Sequence, residues 1–170
     1  MISTPPSWAL ALTFWLHLFA TVAWVGSLAA VSLLILPAMQ RSLTAEQQLV
    51  FIEAMQKRLE PIAWFSMSVL LATGLFQMSV NPHYDGFLST STQWSVAILI
   101  KHLLGIVMVV VSAIQTWEVI PAIRRSIVRS KKSSNAVEID SLRKRETFLL
   151  HLNFGLSLLI LLATAFARAA

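Results

Sequence analysis

The stretch WALALTFWLHLFATVAWVGSLAAVSLLILPA, Trp8–Ala38, contains a single titratable side chain, His17. About 20 helical residues cross the roughly 30 Å hydrocarbon core of a bilayer, so this run is long enough to span one. Three further apolar runs follow, at Pro61–Val80, Trp94–Pro121 and Thr147–Ala167. The 170 residues are 56% hydrophobic and only 12% charged, which takes the chain out of the soluble class. The expected fold is an all-α integral membrane protein. It is read as one antiparallel four-transmembrane-helix bundle over residues 1–170, with spans at about 8–38, 61–80, 94–121 and 147–167.

The charges predict its orientation. Arg41, Lys57 and Arg58 lie in the connection from Gln40 to Glu60, and a dense basic group from Arg124 to Arg145 lies in the connection before the last span. The connection Asn81–Gln93 has no Lys or Arg. The positive-inside rule then puts both basic loops in the cytoplasm and both termini outside, in a bacterial inner membrane. The net charge of +5 is mostly this topological signal. Basic loops also favour anionic lipid headgroups, whereas no basic patch with interleaved aromatics points to nucleic acid.

The leading segment MISTPPS has no positive charge and the first run is too long for a cleaved signal, so a retained helix is expected. Ser7 is its expected cap. Thr44–Gln47 has the pattern of a capping box, and the apolar spacing of Leu49, Ile52, Met55 and Leu59 predicts an interfacial helix leading into the second span. Pro61 suits a first-turn or kink position there. The polar run RSKKSSN, Arg129–Asn135, is expected to be mobile. With no cysteine, disulfides and thiolate metal sites are excluded.

His17 lies nine residues after Trp8 and His102 eight after Trp94. With both tryptophans as interface anchors, the two imidazoles lie roughly 13 Å and 12 Å below the outer boundary. Two imidazoles at one depth on different helices are what a b-type haem needs for axial ligation. Gly74 and Gly105 would admit a flat cofactor closely, and Trp24, 700° around the helix from His17, shares its face. Gly26, on the opposite face, is expected to pack another helix. Lys101 either snorkels outward or pairs with an anion such as a haem propionate. The competing reading for both histidines is structural hydrogen bonding. His151 and Glu118 lie at similar depth and are expected to hydrogen-bond, with a second cofactor site or proton path as the alternative. His83 is expected to be solvated in the outer loop. Met78 and Met108, with His17 and His102, form an alternative Cu(I) set, because thioether and imidazole are suited to that ion.

The pattern His17-x6-Trp24-x-Gly26, then Thr73-Gly74-Leu75, then Lys101 within the next span, resembles the copper-resistance D (CopD) family of bacterial inner-membrane proteins. The four-span layout with a basic loop before the last span is similar too. That resemblance implies copper handling at the membrane and a separate periplasmic metal-carrier partner. The His17–Trp24 opening and Lys101 also look like the HemJ-type protoporphyrinogen oxidases, which bind haem. Three functions stay open: a haem b protein in electron transfer with a redox partner, a copper transport or handling protein, and a structural or assembly subunit. Enzyme, electron carrier and transporter are equally compatible with the residues.

Overall fold

The computed structural model describes residues 5–130 and 136–169. Its elements are all helical: α1 (Ser7–Ala29), α2 (Leu36–Ser42), α3 (Ala45–Ser79), α4 (Gln93–Ile114), α5 (Ile120–Ser130) and α6 (Ala136–Ala169). Two π-helical segments, Ala30–Ile35 and Gln115–Val119, join α1 to α2 and α4 to α5 without a break. Four helices are long and apolar enough to cross a membrane: Ser7–Ser42, Val50–Ser79, Gln93–Ser126 and Ile139–Ala169. Large apolar side chains such as Leu18, Phe19, Val22, Leu103 and Leu162 point outward, as lipid as solvent allows.

Each helix runs past the apolar stretch that marks it. The first spans 36 residues, about 54 Å at 1.5 Å per residue, against roughly 30 Å of hydrocarbon. Backbone hydrogen bonding carries the helices beyond the point where charges begin, so hydropathy underestimates their length. Lys131–Asn135, most of the run expected to be mobile, lies outside the described residues.

Local chemistry explains the ends. The Thr44 capping box forms: Gln47 N–H donates to Thr44 Oγ1, and Thr44 N–H to Gln47 Oε1. α3 then continues through Pro61 as one helix, so the interfacial segment and the second span are a single element. Ser7 is the first helical residue and not the cap; Pro6 occupies the cap position with extended backbone and its carbonyl accepts from Ala9. The two π segments have a common cause. Each ends just before a residue that precedes proline, Leu36-Pro37 and Ile120-Pro121. The N–H of Leu36 reaches Val31 O, and that of Ile120 reaches Gln115 O, five residues back. Proline crowds the carbonyl four residues before it and offers no N–H, and the wider turn accommodates both effects.

The bundle is built from two antiparallel pairs. α1 lies on α3 and α4 on α6, with α1–α6 contacts between the pairs. Thr13 is bonded to Gln77 and His17 to Thr73, the descending order of an antiparallel pair. Ser112–Asn153 and Glu118–Arg145 repeat the pattern in the second pair. Buried Trp24, Leu28, Met67, Met108, Val111 and Leu156 form the apolar core where the pairs meet. The end bearing the 80–92 loop is called the far end below, and the end bearing the Arg/Lys-rich connections the basic end. At the basic end Glu53 pairs with Arg124, Trp64 stacks on Trp117 at 5.3 Å, and Arg143 donates to Gln48 at 3.1 Å. Polar and aromatic bridges tie the pairs together there.

Candidate functional site

The far half of the bundle carries His17, Lys101 and His102. The His17 ring is held by α3: its Nδ1 lies 2.8 Å from the buried Thr73 Oγ1. The Thr73 hydroxyl already gives its proton to Val69 O at 2.6 Å. Thr73 therefore accepts from His17, whose Nδ1 carries the hydrogen, and Nε2 keeps its lone pair. Gly74 faces this ring; a Cβ there would lie 3.5 Å from His17 Cε1, an ordinary contact distance, so only a larger side chain would crowd it.

His102 arrives at the same chemical state from its own helix. Its Nδ1 donates to Ile98 O at 2.7 Å, and the ring meets Phe87 of the 80–92 loop edge-on, with centroids 5.2 Å apart. Both imidazoles thus spend Nδ1 on an oxygen and present Nε2, the arrangement that orients metal-binding histidines. Among the described residues no hydrogen bond or ring contact joins His17 to His102. Lys101 lies close enough for its charge to act on His17, and Arg168 of α6 acts on Lys101 in turn. The ion pairs among the described residues lie at the basic end, so no carboxylate there neutralises these cations.

The other residues singled out from sequence separate by location. Trp24 is buried in the core beside Leu28 and Met67, well past His17 along α1. Met108, 2% exposed, is enclosed in the same cluster. Met78 is buried at the far end of α3. Gly105 borders open space. Gly26 is exposed, and a methyl added to it would meet nothing within 4 Å, so among the described residues no helix packs on it as expected. Trp94 is no lipid anchor: it is buried, with its ring 6.2 Å from His83. The expected His151–Glu118 bond does not form. Glu118 takes the permanently charged Arg145 at 2.9 Å, and His151 donates to Thr147 O within its own helix. His83 is exposed and bonded to Asn81.

Sequence reasoning missed Glu146 and Asn153. The charges around Glu146 mark it as the end of a cytoplasmic connection, yet α6 begins earlier and carries it into the bundle, where it is buried and accepts from Gln56 at 3.3 Å. Asn153, 2% exposed, donates to Ser112 Oγ at 2.8 Å. An asparagine inside an apolar run was the available signal. Among the described residues no group of three or more His, Asp or Glu is arranged to hold a metal ion.

The family model described as Copper resistance protein D matches residues 53–167. The chain belongs to the CopD family. The matched segment includes Thr73, Gly74, Lys101, His102, Glu146 and Asn153, and it begins within α3, after the helix that bears His17. No curated protein and no solved structure matches the chain. It is thus a multi-pass helical membrane protein of a copper-resistance family.

Proposed function

We propose that the protein handles copper within the membrane, offering Nε2 of His17 and His102 to a transient copper ion, with Met78 as a thioether at the same end. The observation that supports it most is the shared Nδ1 commitment, to Thr73 on α3 for one ring and to Ile98 on α4 for the other. It fixes tautomer and orientation in advance, the usual service of an outer hydrogen bond to a metal-binding histidine. Imidazole and thioether suit copper, and the membership of the CopD family points the same way. In this reading the far end faces the periplasm, the basic end the cytoplasm, and a separate periplasmic metal carrier exchanges copper with the protein.

A second reading rests on a different observation: Lys101 and Arg168 lie near enough for their charges to act on each other, and among the described residues neither forms an ion pair. Cations without a carboxylate partner within a membrane bundle favour an anionic ligand. A b-type haem with His17 and His102 as axial ligands and its propionates toward these cations would supply electron transfer there, with a redox protein as partner.

Metal analysis and oxidised and dithionite-reduced absorption spectra of one purified sample separate the two. Copper bound by a colourless protein, and lost in His17→Ala, supports the first. A sharp reduced α-band with stoichiometric iron supports the second. A sample that binds neither metal after loading overturns both.

A further inference from the structure

An open-sided pocket of about 110 Å³ lies between α1, α3, α4, α6 and the second π segment. It has room for water-sized occupants. Trp24, about 10 Å along α1 from His17, borders it, so it is a different place from the far-end imidazoles. Glu146 and Glu60 line it, with Gln56, Asn153, Ser112 and Gln115.

Two observations point to an occupant. Glu146 is 6% exposed and its Oε1 receives one neutral hydrogen bond, from Gln56 Nε2. Asn153 is 2% exposed; its Nδ2 donates to Ser112, while its Oδ1, on the same pocket wall, accepts no hydrogen bond among the described residues. A buried acceptor left open on the same wall as a buried carboxylate, two turns along α6 from it, is a costly arrangement. Arg143 on α6 is near enough for its charge to act on Glu146, and Glu60 on α3 is the other charged residue on the wall. α1 and α4 contribute no charged group to it.

The backbone is also unusual here. Val31 from the first π segment and Gln115 from the second both border the cavity. π turns inside helices recur at functional sites, because they shift side chains out of the regular register. The donor chemistry is hard: carboxylate, amide and hydroxyl oxygens, no imidazole, and Met55 as the one sulfur-bearing residue on the wall. Such a set selects against Cu(I) and in favour of small hard cations.

We propose that this cavity is a second cation site, with Glu146 as the charged ligand and Asn153 Oδ1 and Gln56 Oε1 as neutral ones. It takes a small hard cation: an alkali or alkaline-earth ion, or a proton carried on Glu146 among the waters. It does not depend on the metal bound at the far end.

The test is infrared difference spectroscopy on the full-length protein in lipid nanodiscs, titrated with pH and separately with Na⁺, Mg²⁺ and Ca²⁺ chlorides. The Glu146 carboxyl and carboxylate signals are assigned as those missing in Glu146→Gln. Conversion between them on adding an ion at constant pH identifies a metal cation. Conversion by pH alone, indifferent to the ions, identifies the proton. In either case Asn153→Leu shifts the midpoint roughly tenfold or more in ion or proton concentration, the scale seen when a metal site loses a supporting group. This variant reads the proposal even where Glu146→Gln fails to fold. A Glu146 signal that neither pH nor any ion moves, or a midpoint that Asn153→Leu leaves in place, overturns it in favour of a closed ion pair with Arg143.

Discussion

At the far end, His17 and His102 each give Nδ1–H to an oxygen and leave Nε2 open, with Lys101 and Arg168 as the nearby charges. Toward the basic end, buried Glu146 and Asn153 and half-buried Gln56 line a small pocket with carboxylate and amide groups. Nitrogen donors with cations suit a soft or borderline metal, or an anionic cofactor edge; oxygen donors with carboxylates suit a hard cation. Trp24, Met67 and Met108 lie between in the apolar core. The bundle thus holds two polar stations of opposite chemical character, with an apolar core between them whose Trp24 also borders the oxygen-lined pocket.

The largest expected effect breaks this comparison at its stronger claim. His17→Ala and His102→Ala should each abolish stoichiometric copper or iron in purified protein, whereas Glu146→Gln should leave copper and iron content unchanged. Equal losses in all three would merge the two stations into one. The next effect sharpens the far end. Thr73→Val removes the acceptor of His17 Nδ1 and should weaken metal affinity about 10–100-fold by competition titration. Gly74→Val should act likewise by displacing the ring, while Gly74→Ala, whose methyl would sit at ordinary contact distance, should bind normally.

The divider between the stations is a matter of stability. Trp24→Ala leaves a void among Leu28, Met67 and Met108 and should cost about 3–5 kcal/mol, measured by thermal unfolding in detergent. Trp8→Ala, 69% exposed in the same helix, should stay within about 0.5 kcal/mol. The smallest effect is at the basic surface. Arg124→Ala breaks an exposed pair with Glu53 and should change stability by no more than about 1 kcal/mol, with the difference fading as salt rises.

Individual residues show how far the sequence could be read. The four spans and the Thr44 capping box follow from patterns contained within a few turns of helix, and both are present. Trp94 misled for a physical reason: an aromatic at a helix start suits either lipid or a loop, and here His83 and the loop cover it. Pro37 and Pro121 have the look of terminators, but a π turn before each lets the helix pass. Glu146 has the look of loop because charge density suggests the end of a helix. The Thr73 bond that orients His17 joins residues 56 apart, and no local pattern carries it.

Hydropathy and length alone determined that this is a four-span helical membrane protein with three histidines in its apolar runs, because lipid imposes a one-dimensional constraint on run length and polarity. Which face each helix turns inward was decided only by tertiary packing. Rotation about a helix axis costs little until a partner helix fills the groove, and that packing gave Thr73 to His17, took Glu118 for Arg145, and enclosed Glu146 with Asn153.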